Sequence, residues 1–120
     1  MKLPSEAWLL RIFIGESDRH EGRPLYEKIT ELARRRGLAG ATVLRGVTGF
    51  GANSRIHTAK ILRLSEDLPM VVEIVDAPER IEAFLPELDA MITEGLVTLE
   101  KVRVFAYRHS GGREAPPETA

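Results

Sequence analysis

Apolar positions along this chain alternate between the two-residue period of a strand and the 3.6-residue period of a helix. Trp8, Leu10, Ile12 and Ile14 fall on one side of an extended segment, with Leu9, Arg11 and Phe13 on the other, so 8–14 is predicted as a first strand. A polar loop, 15–23, follows. Pro24 opens a helix, where its missing N–H costs nothing. Leu25, Ile29, Leu32, Ala33 and Arg36 share one face of that helix, Arg36 at the rim, and Gly37 suits the position just past its end. Segments 41–46 and 70–75 read as the second and third strands. Asp76 and Glu79, around Pro78, predict a capping box for a second helix. Its apolar stripe is Ile81, Phe84, Leu85, Leu88 and Ile92, and Pro86 within it predicts a kink or short break. Gly95 ends the helix, and 96–107 reads as a long fourth strand.

Two strand–helix–strand units joined centrally predict an α+β fold in the ferredoxin-like βαββαβ order. It is an antiparallel four-stranded sheet with two helices on one face and a long loop between strands 2 and 3. The other face would show Leu9, Phe13, Val71 and Val75, too much apolar surface to leave in water. A homo-oligomer is therefore expected. Arg11 and Glu73 would lie on that same face of adjacent strands and are expected to pair.

Composition adds bounds rather than chemistry. The chain has 120 residues, 43% hydrophobic and 29% charged, with net charge −1. Residues 1–108 are expected to form one domain, and the Gly/Pro/Glu-rich 109–120 a disordered tail. Near-neutral charge argues against a nucleic-acid partner. The absence of cysteine excludes disulfides and thiol catalysis, and fits a cytoplasmic location. The first apolar run is interrupted by Arg11 and is too short to span a membrane.

The stretch 47–69 holds the functional signal. Hairpin loops usually have about 2–5 residues, so a connection this long is normally functional or disordered. No acidic residue occurs from Arg45 to Ser65, while Arg45, Arg55, Lys60 and Arg63 are basic and His57 becomes so on protonation. Gly46, Gly49 and Gly51 permit positive φ and close backbone approach, and turns of this kind can cradle an anion. Phe50 between two glycines is placed to stack on a base or to anchor the loop. The pattern matches neither a dinucleotide fingerprint, since Ser54 stands at the third glycine position, nor a Walker loop. Glu16, Ser17, Asp18, His20 and Glu21 read as a solvated loop whose acids Arg19 and Arg23 balance. Arg34–Arg36 match the negative end of the first helix dipole.

The ordered set Ile14-Gly15-Glu16, Gly22-Arg23-Pro24-Leu25-Tyr26-Glu27, Gly40-Ala41-Thr42-Val43, Arg45-Gly46, Gly49-Phe50-Gly51, Ile56-His57, Leu64-Ser65, Asp67-Leu68-Pro69 and Glu73-Ile74-Val75-Asp76 resembles the PII-like family of domain of unknown function 190 (DUF190). The resemblance covers roughly residues 8–105. It implies a ferredoxin-like subunit of a trimer in the superfamily of PII signal proteins and copper-tolerance trimers. Effectors of PII proteins, often adenine nucleotides, bind in clefts between subunits. Unlike PII proteins, this chain has no second glycine-rich phosphate loop before strand 4, where 90–95 reads AMITEG.

The expectation is a regulatory protein rather than an enzyme, with no catalytic residues, cofactor or metal site. It would bind a small anionic effector, an adenine nucleotide for choice. The ligand-binding candidates are Arg45, Gly46, Gly49, Phe50, Gly51, Arg55 and His57, and the 47–69 loop would signal to a target protein. Two alternatives remain: a ligand-independent interaction module acting on a membrane transporter or channel, and a divalent-cation binder.

Overall fold

The computed structural model describes residues 3–51 and 67–108. Its main strands are β1 (Glu6–Gly15), β2 (Thr42–Arg45), β3 (Pro69–Asp76) and β4 (Leu96–Arg103), and its helices α1 (Leu25–Arg35) and α2 (Pro78–Met91). A two-residue ladder, Arg19–His20 against Arg23–Pro24, folds the β1–α1 connection back on itself. The sheet order is β2-β3-β1-β4 with every neighbouring pair antiparallel. This is the ferredoxin-like arrangement expected from the pattern of the chain.

The core lies between the sheet and its helices. Leu10, Ile12 and Ile14 of β1 and Met70, Val72 and Ile74 of β3 are buried against Leu25, Ile29, Leu32 and Ala33 of α1 and Ile81, Phe84 and Leu88 of α2. These are the alternate strand positions and the i, i+3, i+4 helix positions read from the pattern. Gly37, at φ +72, ends α1 in the left-handed conformation that glycine adopts without strain.

The opposite sheet face has no helix among the described residues. Directly paired residues share a face, so Leu44, Val71, Phe13 and Leu96 form one cross-strand row, and Thr42, Glu73, Arg11 and Thr98 the next. Arg11 Nε donates to Glu73 Oε2 at 2.9 Å, as expected, and Nη1 donates to Glu100 Oε1 at 3.0 Å. The bond to Glu73, with help from the charges of both acids, raises the Arg11 pKa above its ordinary value. Leu44 is 48% exposed and Leu96 57%.

Three local expectations are corrected. No capping box forms on α2. Its N-cap is Ala77, while the Asp76 carboxylate turns inward, 1% exposed, to accept from the Ala77 and Ala39 N–H groups at 2.7 and 2.9 Å and from Arg80 Nε at 3.1 Å. Asp76 thus ties the turn before β2 to the start of α2. Of the kink or short break expected at Pro86, the break does not occur: α2 runs unbroken to Met91. Glu82, whose carbonyl loses its donor, is exposed like Pro86 itself, so water can satisfy that group. The fourth strand stops at Arg103. Val104 N–H still bonds Ser5 O at 2.7 Å, but β1 supplies no further partner beyond its start, and Tyr107 instead donates its hydroxyl to Ala39 O at 3.1 Å. The tail expected from residue 109 lies outside the described residues.

Candidate functional site

The long connection leaves and rejoins the sheet at one corner, where β1 and β2 end and β3 begins. Its return is clamped first. Glu16 N–H donates to Leu68 O at 2.8 Å, extending the β1–β3 ladder. Asp67 Oδ1 accepts from Ser17 N–H at 3.2 Å and Ser17 Oγ at 2.7 Å. Gly15 makes room for this: a Cβ there would sit 2.3 Å from Asp67 Oδ1. Asp18 Oδ2 accepts from Gly15 N–H at 2.9 Å, closing the turn after β1.

The outgoing limb is pressed onto the same anchor. Gly46 N–H donates to Pro69 O at 2.7 Å, the last bond of the β2–β3 ladder. A Cβ on Gly46 would meet Pro69 Cγ at 2.7 Å, and one on Gly49 would meet it at 3.0 Å. Gly46 and Gly49 are therefore needed for close approach to the proline ring, whereas Gly51 meets nothing within 4 Å. Of these three, Gly49 alone has positive φ. Val47 and Phe50 stand out from the corner, 84% and 69% exposed.

Arg45 points its guanidinium at Glu16, with Nη2 on Oε2. The sequence pattern places Glu16 in a solvated loop balanced by Arg19 and Arg23. Instead it is largely covered, and Arg23 is held by Glu27 and Glu31 on α1. The bond from Arg23 holds the Glu31 carboxyl below the usual carboxylate range. Glu16 Oε1 is buried without a hydrogen-bond partner among the described residues.

The candidate residues Arg45, Gly46 and Gly49 thus come together at one corner, with Phe50 and Gly51 projecting beyond it. Arg55 and His57 lie outside the described residues. Sequence reasoning missed Glu16 and Asp67 as parts of this corner. The acid-free run 45–65 signalled a cationic loop, but the fold supplies acids to its base from both flanks. Among the described residues no group of three or more His, Cys, Asp or Glu side chains is placed to hold a metal, and no helix is long and apolar enough to cross a membrane.

Comparison with known proteins places this geometry. The model of the family DUF190, described as "Uncharacterized ACR", matches residues 7–104. A UPF0166 protein of Aquifex aeolicus is 46% identical over 97 residues, covering 81% of this chain and 91% of the relative. A UPF0166 protein of Methanocaldococcus jannaschii is 36% identical over 101 residues, 83% of this chain and 93% of the relative. Among solved structures, a PII-like signalling protein of Thermus thermophilus superposes with a TM-score of 0.59 at 19% identity, covering 87% of this chain and 93% of that one. The PII-like protein CPII of Thiomonas intermedia, bound to ADP, AMP and acetate, gives 0.53 at 20% identity over 87% and 92% of the two chains. At those identities the structural likeness establishes the fold, and the family match does the rest: the chain belongs to the DUF190 family.

Proposed function

We propose that this protein is a trimeric PII-like regulator. It binds a small anionic effector, an adenine nucleotide for choice, in clefts between copies, and reports occupancy through the 47–69 loop to a target protein. The observation that carries the reading is the corner itself. Both limbs of the long connection meet at Pro69 and Asp67, while Arg45, at the hinge, is held among the described residues by a partly exposed ion pair. An anionic group that takes Arg45 from Glu16 alters the contacts at the root of the loop, so binding energy can shift the loop between arrangements. The nucleotides bound to CPII support adenine nucleotides as the first ligands to try. Arg45, Gly46, Gly49, Phe50, Gly51, Arg55 and His57 are the proposed ligand-binding residues.

Calorimetric titration of the full chain with ADP, AMP, ATP and cyclic nucleotides tests this. Saturable binding to at least one, weakened by Arg45→Ala, is expected. No heat from any of them at sub-millimolar concentration would defeat the nucleotide version. The exposed Val47 and Phe50 favour one second reading, direct docking of the loop on a target without a small ligand. Target capture that requires Phe50 and is unaffected by every nucleotide would select it.

A further inference from the structure

The Glu16–Arg45 pair at the loop corner is uneven. The Arg45 side chain is 57% exposed and that of Glu16 20%. Glu16 Oε2 accepts from Arg45 Nη2, while Oε1 is buried with no donor among the described residues. The backbone around Glu16 is pinned on both sides. Its own N–H donates to Leu68 O at 2.8 Å, and Asp18 N–H donates to Gly15 O at 3.2 Å. Ser17 N–H and Oγ donate to Asp67 Oδ1 at 3.2 and 2.7 Å. The arginine can therefore swing toward a bound anion, and the carboxylate is not free to follow it.

Neighbouring charge decides what becomes of the carboxylate left behind. Among the described residues Arg45, from β2, is the one cation bonded to it. Asp18, on the same turn, accepts from Gly15 N–H, and Asp67, from the return limb, accepts from Ser17, so both bring negative charge to the corner. Arg23 is bonded to Glu27 and Glu31, and Lys28 of α1 to Glu21. Arg19 and His20, on the short ladder beyond the turn, make no bond to Glu16 among the described residues. A largely buried carboxylate with no cation beside it is stabilised by taking a proton. An anion arriving at Arg45 acts in the same direction.

We propose that anion binding at Arg45 is coupled to uptake of a proton by Glu16, so that the corner responds jointly to its effector and to acidity. The coupling rests on the reading of Arg45 as an effector-binding group. The proton comes from solvent, sits on a carboxylate oxygen of Glu16 and removes the competitor for the guanidinium. Linkage fixes the sign: binding that takes up a proton strengthens as pH falls, and levels off once the free protein is protonated as well. Protonated Glu16 and a glutamine at the same position carry the same charge, so Glu16→Gln stands for the protonated state.

The test has two arms. The first needs no ligand: carbon-13 NMR of the glutamate carboxyls of the full chain, followed through a pH titration. Glu16 of Arg45→Met should hold its proton to higher pH than Glu16 of wild type, and Arg45→Lys, which restores a cation, should return it toward wild type. The second arm is calorimetry with ADP from about pH 8 to about pH 5.5. Glu16→Gln should bind about threefold to tenfold tighter than wild type at the upper end, and the gap should close as pH falls. Titration of the nucleotide's own phosphates is common to both proteins and cancels in the ratio. A Glu16 that titrates alike in wild type and Arg45→Met, or an affinity ratio that does not change with pH, would overturn the coupling. No heat from ADP at any pH, together with the shifted Glu16 in Arg45→Met, would overturn the effector reading alone and support the proton link between Glu16 and Arg45.

Discussion

Gly46 and Gly51 are two loop glycines with opposite demands. A methyl on Gly46 would press into the Pro69 ring, so Gly46→Ala should cost about 1–3 kcal/mol through overpacking. Gly51→Ala adds a methyl in open space and should change stability by less than about 0.5 kcal/mol. Equal urea midpoints for Gly46→Ala and wild type would show that Pro69 is not the anchor. Glu16 competes with any anion for Arg45, so Glu16→Gln should tighten effector binding about threefold to tenfold while Arg45→Ala weakens it, both read by calorimetry. Weaker binding in Glu16→Gln would instead make Glu16 a direct ligand contact. The Arg11–Glu73 pair was legible because strand phase alone puts both side chains on one face. The Glu16–Arg45 pair was not, because it depends on how the chain closes between two positions 29 residues apart.

Helix and strand cores were readable because each follows one period, whereas element ends depend on neighbours that are distant in sequence. Asp76 looked like a cap from its spacing to Glu79. The turn at Ala39 and Arg80 of α2 offered it better partners inside the fold. The alternation of β4 continues past Arg103, but pairing cannot outlast β1, and Phe105 is left 92% exposed. The two helices are joined at the surface by Arg36 and Glu87. The hydrogen bond from Arg36, aided by its charge, lowers the Glu87 pKa and raises that of Arg36. A lowered carboxylate pKa adds stability above its unfolded value, near ~4.3, and that contribution disappears as pH falls through the lower folded value. Glu87→Gln should therefore unfold slightly earlier in urea than wild type at pH 7, and the gap should close in acid. Because the pair is exposed the gap is small. A gap that persists unchanged in acid would assign it to packing.

At the scale of the molecule the sheet has, among the described residues, one covered face and one bare face. Leu9, Phe13, Leu44, Val71, Val75 and Leu96 lie on the bare face around an Arg11–Glu73–Glu100 cluster, and the account buries this surface between copies. Enclosed there, an Arg11 deprived of Glu73 is a charge without its closest partner, so Glu73→Ala should loosen assembly sharply. Replacing the pair together, Arg11→Met with Glu73→Leu, should restore or strengthen it. Assembly of Glu73→Ala equal to wild type, followed by sedimentation velocity, would remove the pair from the interface. The fold was legible because helix and strand periods follow one another in a single simple order. The effector was not, since the 90–95 segment lacks a phosphate-loop pattern and the acids at the loop base come from elsewhere in the chain.

Sedimentation equilibrium of the full chain at low micromolar concentration reaches the central claim most directly. A mass close to three times the 13.4 kDa of one chain is expected. A stable 13.4 kDa species would contradict it, because the bare face would then stand in water and no cleft between copies would exist to hold an effector.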